Sequence, residues 1–299
     1  MRILVMGAGA VGCYYGAMLA RAGHPVTLVG RRRHVEVIGR DGLILETAAG
    51  CERLPVTATD SPAAAAADAE LVLVCVKSGD TEAAARDLAG HLPAAASVLS
   101  LQNGVDNADR LARALGRPVI PAAVYVAVAM AGAGHVRHHG RGDLLIGRSP
   151  RSAEIAALLG AAGVPTTVSA DVLAAQWGKL IVNCAYNAMS AITQLTYGEL
   201  ARNAQVRAVM AEVAAECLAV AAAAGIEVDG DTGRAIRAIA ETMAGQRSST
   251  AQDLAAGRPT EIEHLNGYIV RTGERLQVPT PANRSLYALV QVMSGGGGA

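Results

Sequence analysis

The sequence has no phenylalanine, a single tryptophan and few charged residues. Aromatic residues make up 3% and charged residues 17% of its 299 residues, whereas hydrophobic residues make up 52%. This hydrophobic share excludes intrinsic disorder, and the chain is long enough to bury the cores of two domains.

An excess of charge of either sign is also missing. Lys+Arg and Asp+Glu number 26 each, so the formal net charge is +0. Nucleic acids and anionic membranes select strongly basic surfaces. We therefore expect a small-molecule partner and neither nucleic acid nor membrane.

Signals for disulfides, secretion and membrane insertion are absent as well. The five cysteines are odd in number and form no CxxC pair, which is typical of a reduced, cytoplasmic protein. No basic segment or cleavage site follows Met1, so we expect no signal peptide. The longest uncharged run, residues 118–134, is interrupted by Pro121 and is too short for a bilayer span. We predict a buried strand and its turn there.

What the sequence does contain is an apolar strand that turns into a helix at its very start. Residues 3–6 lead into Gly7-Ala8-Gly9-Ala10-Val11-Gly12, the spacing of a dinucleotide-binding turn. The first glycine permits the tight turn, the second lets a pyrophosphate approach the backbone, and the third lets the helix pack closely on the strand. These six residues therefore predict a dinucleotide at the helix N-terminus; a plain glycine-rich turn is the alternative.

The end of the next predicted strand, Val26–Val29, indicates which dinucleotide. An NAD site would have Asp or Glu there to hold the ribose 2′-hydroxyl, but this chain has Gly30 followed by Arg31, Arg32 and Arg33. Guanidinium groups match a 2′-phosphate instead. Arg31 at the strand end therefore predicts NADP, whereas solvation of a loop explains the other two arginines better.

Polar residues follow two further predicted strands, 71–76 and 98–101. Lys77 ends the first, and Gln102-Asn103-Gly104 ends the second. The carboxyl ends of parallel strands line the ligand crevice of an open α/β sheet. Lys77 and Asn103 are therefore candidates for the cofactor side, although turn chemistry alone explains Asn103 equally well.

Three histidines, His135, His138 and His139, crowd the segment 134–147. No carboxylate or thiolate ligand stands nearby at helical or turn spacing. The alternation of residue types fits the strands of a hairpin better, so we predict no metal site.

The character of the chain changes near residue 169. A helix (152–161) and a short strand (166–168) complete an α/β region, after which helical patterns continue to Met293. We predict a Rossmann-type dinucleotide-binding domain over 1–168, an all-helical domain over 169–293, and a flexible tail over 294–299.

The helical region opens with a polar stripe on an otherwise apolar helix. Lys179, Asn183 and Asn187 stand four residues apart and so lie within an arc of ~80° on one face, with Ser190 beside them. No acidic residue stands at helical spacing from the lysine, and burial would lower the pKa of such an amine towards the proton-transfer range. The stripe therefore predicts catalysis; a solvent-facing surface helix is the alternative.

A third group of polar residues lies in Thr260-Glu261-Ile262-Glu263. The spacing of Thr260 and Glu263 matches a capping box, so we predict that a helix starts there with Glu261 in its first turn. From the residues alone, stabilisation of the helix dipole explains Glu261 better than a functional role does.

Taken together, these motifs resemble those of the ketopantoate reductases (2-dehydropantoate 2-reductases), over nearly the whole chain. The matching segments are Gly7-Ala-Gly-Ala-Val-Gly12 with Arg31, Val76-Lys77, Gln102-Asn103-Gly104, Trp177-x-Lys179-Leu-x-x-Asn183-x-x-x-Asn187, Ser248-Ser249-x-x-x-Asp253 and Thr260-Glu261-Ile-Glu-x-x-Asn266-Gly-x-x-Val270.

The resemblance implies an α/β protein whose Rossmann domain is followed by a helical domain like that of 6-phosphogluconate dehydrogenase-like enzymes. It implies reduction of a 2-keto acid by NADPH, with ketopantoate as the first substrate. Lys179 would donate the proton and Glu261 would close the site on the cofactor side. The cofactor set is then Gly7, Ala8, Gly9, Ala10, Val11, Gly12, Arg31, Lys77, Asn103 and Glu261, and the substrate set is Asn103, Lys179, Asn183, Asn187 and Ser249.

Two residues depart from the pattern of some family members. Tyr197 and Gln246 stand near positions where those members carry asparagines, one of them used on substrate. Reduction of a different 2-keto acid is therefore an alternative function, and an NADPH-binding sensor without turnover is the non-enzyme alternative. A homodimer stays open as the assembly.

Overall fold

The structure is a computed structural model that describes residues 1–228 and 230–295. The chain divides into two compact units, Met1–Val172 and Leu173–Ala299. Of the tail predicted at 294–299, residues 296–299 lie outside the described residues.

Unit 1, all of whose residues are described, is built on one mixed sheet of ten strands. The strands are β1 Ile3–Met6, β2 Val26–Val29, β3 Leu43–Thr47, β4 Gly50–Leu54, β5 Thr57–Thr59, β6 Leu71–Val74, β7 Ser97–Ser100, β8 Ile120–Gly132, β9 His135–Gly147 and β10 Thr166–Ser169. Their order is β4-β3-β9-β8-β7-β6-β1-β2-β5, with β10 on β9. All pairs from β5 to β8 are parallel, whereas β8–β9 and β3–β4 are antiparallel.

Six helices pack on the strands of unit 1, and α6 among them lies against β9 and β10. They are α1 Ala10–Arg21, α2 Arg32–Asp41, α3 Pro62–Ala66, α4 Thr81–Leu88, α5 Asn107–Leu115 and α6 Ser152–Ala161. Alternate residues of β1 enter different cores, with Ile3 and Val5 on one face and Leu4 and Met6 on the other. This double burial explains why β1 and β6 are apolar without alternation.

Two sequence interpretations of unit 1 need correction. Arg32 and Arg33 do not solvate a loop, because they begin α2, where Arg32 pairs with Glu36 at 2.8 Å. The run 118–134 does form a strand, β8, but only its first half is buried. The second half pairs with β9 alone, since β7 has already ended.

Unit 2 is helical, and no strand occurs in its described residues, 173–228 and 230–295. Its helices are α7 Val172–Thr193, which starts in the last residue of unit 1, α8 Tyr197–Arg202, α9 Ala204–Ala223, α10 Thr232–Thr242, α11 Ser249–Ala255, α12 Asn266–Leu276 and α13 Pro281–Met293. None of the helices in the described part of the chain combines the length and apolarity needed to cross a membrane.

The capping box predicted at Thr260 is wrong. A short 3₁₀ turn, Ile262–His264, occupies that position, and the α-helix starts only at Asn266. The carboxylate of Glu263 is bound instead by Arg271, Tyr287 and Gln291, so three side chains, one of them charged, hold it away from the backbone N–H of Thr260. A true capping box does occur at the start of α8, between Thr196 and Glu199.

Candidate functional site

The residues predicted to contact a cofactor follow the carboxyl ends of four neighbouring parallel strands. In the sheet order β2-β1-β6-β7, Arg31 follows β2, Gly7 follows β1, Lys77 follows β6 and Asn103 follows β7. Ligands of open α/β sheets bind at this edge. Unit 1 therefore brings all its predicted cofactor residues to one edge of the sheet.

The glycine-rich turn has the geometry that a dinucleotide needs. Gly7 has a φ of +117°, and a Cβ there would lie 2.8 Å from the backbone nitrogen of Val76. A Cβ on Gly12 would lie only 2.0 Å from the carbonyl oxygen of Gly7. Gly9, by contrast, faces open space and precedes α1, whose N-terminus has no side-chain cap. The turn is thus tight where it packs on protein and open where a phosphate would meet the helix N-terminus, so it fits a dinucleotide.

Arg31 is exposed and stands just before the first residue of α2. The preceding Gly30 packs against the turn so closely that a Cβ there would lie 2.5 Å from the Cβ of Ala8. Gly30 therefore holds Arg31 next to the glycine-rich turn. The sequence interpretation did not identify this role, although a glycine between a strand and an arginine was a readable signal.

A buried hydrogen-bond network joins the loops that carry Lys77 and Asn103. The Ser78 hydroxyl donates to the Asn103 carbonyl oxygen at 3.0 Å, and the Asn107 amide donates to the same oxygen at 2.6 Å. Gln102 donates to the Thr81 hydroxyl at 2.8 Å. All four supporting side chains are buried, so the network fixes the backbone at both strand ends. Sequence reasoning missed these residues because each of them also bonds a partner 21 to 29 residues away along the chain.

In unit 2, Lys179, Asn183 and Asn187 lie on α7, as predicted. Asn187 is only 4% exposed, and the other two are half-buried. Trp177 and Cys184, which flank the stripe, are buried. The alternative of a solvent-facing stripe therefore fails for Asn187.

Ser249 is the first residue of α11 and is exposed. Its neighbour Ser248 caps that helix, because its hydroxyl accepts from the Ala251 N–H at 3.1 Å. The same hydroxyl donates to the carbonyl oxygen of Asn187 at 3.3 Å, and the Ser248 N–H donates to Ser190 Oγ at 3.2 Å. These bonds hold the start of α11, and hence Ser249, against the asparagine end of the stripe.

Glu261 is half-buried and precedes the 3₁₀ turn. At the end of this segment, the Asn266 amide donates to the carbonyl oxygen of Cys184 at 3.2 Å, so the segment is attached to α7 next to Asn183. Glu263 ties the segment to α12 and α13, and desolvation together with this carboxylate raises the pKa of Tyr287 to about 12. In unit 2, Ser249 and the segment that carries Glu261 are thus both attached to α7, the helix that carries the stripe.

The two residues that depart from the resemblance lie next to each other. The Tyr197 N–H donates to the carbonyl oxygen of Gln246 at 2.9 Å. The Tyr197 ring packs edge-on against Tyr186, with centroids 4.9 Å apart, and burial raises the pKa of Tyr197 to about 12. Both departures therefore alter a single region of unit 2.

Comparison with known proteins assigns both halves of the chain. The family model "Ketopantoate reductase PanE/ApbA" matches residues 3–151, and "Ketopantoate reductase PanE/ApbA C terminal" matches residues 171–294.

Full-length relatives agree with these models. The 2-dehydropantoate 2-reductase of Halobacterium salinarum is 36% identical over 98% of each chain. The crystal structure of a PanE/ApbA family ketopantoate reductase from Ralstonia eutropha JMP134 is 56% identical, with a TM-score of 0.95 over 99% of both chains. A complex of D-mandelate dehydrogenase with NADH is 25% identical, with a TM-score of 0.89 over 99% of both chains. The chain therefore belongs to the ketopantoate reductase PanE/ApbA family.

Proposed function

We propose that this protein reduces ketopantoate, a 2-keto acid, to the 2-hydroxy acid pantoate with NADPH. The observation that supports the proposal is that each unit brings its own candidate residues together. A phosphate-compatible glycine turn and Arg31 lie at one edge of the sheet in unit 1, and a lysine with two asparagines lies on α7 in unit 2. Relatives at 36% and 56% identity bear the corresponding names.

The proposed chemistry follows from the groups present. Bound NADPH would supply a hydride to the keto carbon, and the carbonyl electron pair would move to the oxygen. A charge that develops on oxygen needs a proton donor within hydrogen-bond reach. Lys179 gives its ammonium proton to that oxygen and becomes a neutral amine, while Asn183, Asn187 and Ser249 hold the polar groups of the substrate. Glu261 and Asn103 orient the reacting partners.

The direct test is NADPH consumption with ketopantoate against a panel of other 2-keto acids. We expect the highest kcat/KM for ketopantoate. One rival function is the reduction of a different 2-keto acid. The adjoining Tyr197 and Gln246 and the likeness to D-mandelate dehydrogenase favour this rival. A higher kcat/KM for phenylglyoxylate or another 2-keto acid would support that rival. An NADPH-binding sensor would bind the cofactor and turn over none of the panel.

Cofactor choice gives a separate prediction. The parent protein should prefer NADPH over NADH, and Arg31→Ala should raise KM for NADPH while leaving KM for NADH nearly unchanged. The reason is the loss of a charge-assisted bond to the 2′-phosphate, which is worth about 1.5–3 kcal/mol, or roughly 10- to 100-fold. Steady-state kinetics with each cofactor measure the effect.

Arg40→Ala is the matched control, because Arg40 is exposed in the same helix and pairs with Asp41. It should leave both KM values as in the parent. Equal use of the two cofactors by the parent would contradict the assignment of Arg31, and would agree with the NADH bound to D-mandelate dehydrogenase.

Ser249 gives a third prediction. Ser249→Ala should raise KM for the keto acid and leave NADPH affinity alone, since the hydroxyl is proposed to hold substrate. Ser248→Ala is a comparison for stability and not a control for substrate binding, because this buried helix cap also holds Ser249 in place. Its loss should cost about 1 kcal/mol of unfolding free energy. If fluorescence titration found NADPH binding weakened as much as substrate binding in Ser249→Ala, the substrate role would be wrong.

Compartment and assembly stay predictions. All five cysteines are free thiols, which supports the proposed cytoplasmic location. A homodimer is the assembly to test, by sedimentation equilibrium of the purified protein.

A further inference from the structure

A second group of ligand-type side chains lies near the other end of the strand order in unit 1. Glu46 on β3, Cys51 on β4 and His135 on β9 bring a carboxylate oxygen, a thiol sulphur and an imidazole nitrogen within 4.8 Å of one another. The sequence predicts no metal site, because no such ligands stand near the histidines at helical or turn spacing. That argument missed proximity across strands.

The register of the sheet explains the grouping. Glu46 lies directly opposite Cys51 in the antiparallel β3–β4 pair. His135 lies opposite Ile44 in the parallel β3–β9 pair. Side chains two residues apart on a strand share a face, and so do those of opposed residues. The register of the sheet therefore places the side chains of Glu46, Cys51 and His135 on one face.

His135 offers the group an imidazole nitrogen. Its Nε2 lies 2.9 Å from Glu46 Oε2, is shielded from solvent, and makes no hydrogen bond of acceptable geometry to any described residue. The two groups form an ion pair only when the imidazole is protonated, and a neutral imidazole can present Nε2 to a metal ion as a ligand atom.

Arg137 holds the carboxylate in place. Its Nε donates to Glu46 Oε1 at 2.8 Å, which leaves Oε2 directed at His135. Ligating carboxylates are typically held by an outer hydrogen bond in this way.

We propose that Glu46, Cys51 and His135 bind one Zn²⁺ ion, with water as the fourth ligand. Zinc accepts thiolate, imidazole and carboxylate together, whereas calcium and magnesium prefer oxygen alone. Tetrahedral zinc separates its ligand atoms by about 3.3–3.6 Å. Zinc binding therefore requires the His135 and Glu46 ligand atoms to move apart slightly from 2.9 Å, and the exposed Cys51 thiol to approach them from within 4.8 Å. The bound ion links the β3–β4 hairpin to β9. The proposed zinc site does not depend on the proposed reductase activity.

The test uses the full chain without a histidine tag, fully reduced, titrated with Zn²⁺ against a chromogenic chelator and separately with Co²⁺. One equivalent of Zn²⁺ should bind, and bound Co²⁺ should show a thiolate-to-metal charge-transfer band. Cys51→Ser should abolish that band. Cys51→Ser and His135→Ala should each weaken zinc affinity by more than the ~10–100-fold that follows loss of an outer-shell partner.

His139→Ala is the matched control, because His139 is exposed on the same strand, roughly 13 Å further along. It should bind Zn²⁺ as the parent does. Zinc should raise Tm in the parent and in His139→Ala but not in Cys51→Ser. A parent that binds no stoichiometric zinc, a Cys51→Ser variant with parental affinity, or an equal loss in His139→Ala would each overturn the proposal.

Discussion

Replacing Lys179 by alanine is expected to lower kcat on the order of 10²–10⁴-fold, the usual scale for a lost general acid. Hydride addition leaves negative charge on the carbonyl oxygen, and the alanine variant has no ammonium proton to give it. NADPH affinity should change little, since the glycine turn and Arg31 belong to unit 1. Steady-state kinetics with ketopantoate, cofactor fluorescence titration and thermal unfolding measure the three quantities.

Lys179→Arg separates proton transfer from charge. Arginine keeps the positive charge, but its guanidinium group does not give up a proton in proteins. If Lys179 is the proton donor, Lys179→Arg should be nearly as slow as Lys179→Ala. An arginine variant close to the parent would show that charge alone suffices. An alanine variant within a few-fold of the parent would exclude the proposed mechanism altogether.

The composition of the cationic residues supports this choice of residue. The chain has only two lysines, Lys77 and Lys179, among its 26 Lys+Arg. In the surface ion pairs of Arg32, Arg40 and Arg137 the positive group is a guanidinium. Lysine side chains, which are amines, occur only at these two candidate-site positions. An amine can change its protonation state where a guanidinium group cannot.

Elements with a strong local signal were predicted closely from the sequence. The bounds of β1, β2 and α6 agree with the structure, because short apolar runs and an alanine-rich segment specify them locally. Helices α2 and α5 were missed. Helix α2 begins with charged residues and buries only Ile38, so its sequence also suits a loop. Helix α5 directly follows the turn after Asn103, so its start was not distinguished from that turn.

Features that depend on distant partners were not readable. The family and the glycine turn were recognised because their residues are close in the chain, and the family was confirmed. Three features depend on pairing between separate elements. They are the network around Asn103, the bond of Arg271 to Glu263, and the approach of Cys51 to His135. A sequence predicts local preference, whereas sheet register and packing decide which preference is realised.

Gly12→Ala is expected to abolish measurable NADPH binding and to destabilise the fold. The new Cβ would lie 2.0 Å from the Gly7 carbonyl oxygen and 3.0 Å from a methyl carbon of Val5. Gly7 cannot yield, because it packs on the backbone of Val76 at a φ that favours glycine. Overpacking of this severity costs about 3 kcal/mol or more. Thermal unfolding and fluorescence titration with NADPH measure the two effects.

Gly9→Ala tests whether loss of binding can occur without loss of stability. A Cβ at Gly9 meets no protein atom within 4 Å, so Tm should stay near that of the parent. The same methyl group would enter the space through which a pyrophosphate approaches the backbone, so NADPH affinity should still fall at least tenfold. Gly16→Ala, in the helix that follows Gly9, should bind NADPH normally, because its Cβ would meet only core side chains away from the turn, the tightest contact being 3.0 Å to Leu28. If Gly9→Ala bound NADPH as tightly as the parent, the open space above the turn would not be the phosphate site, and the cofactor would have to lie elsewhere along the sheet edge.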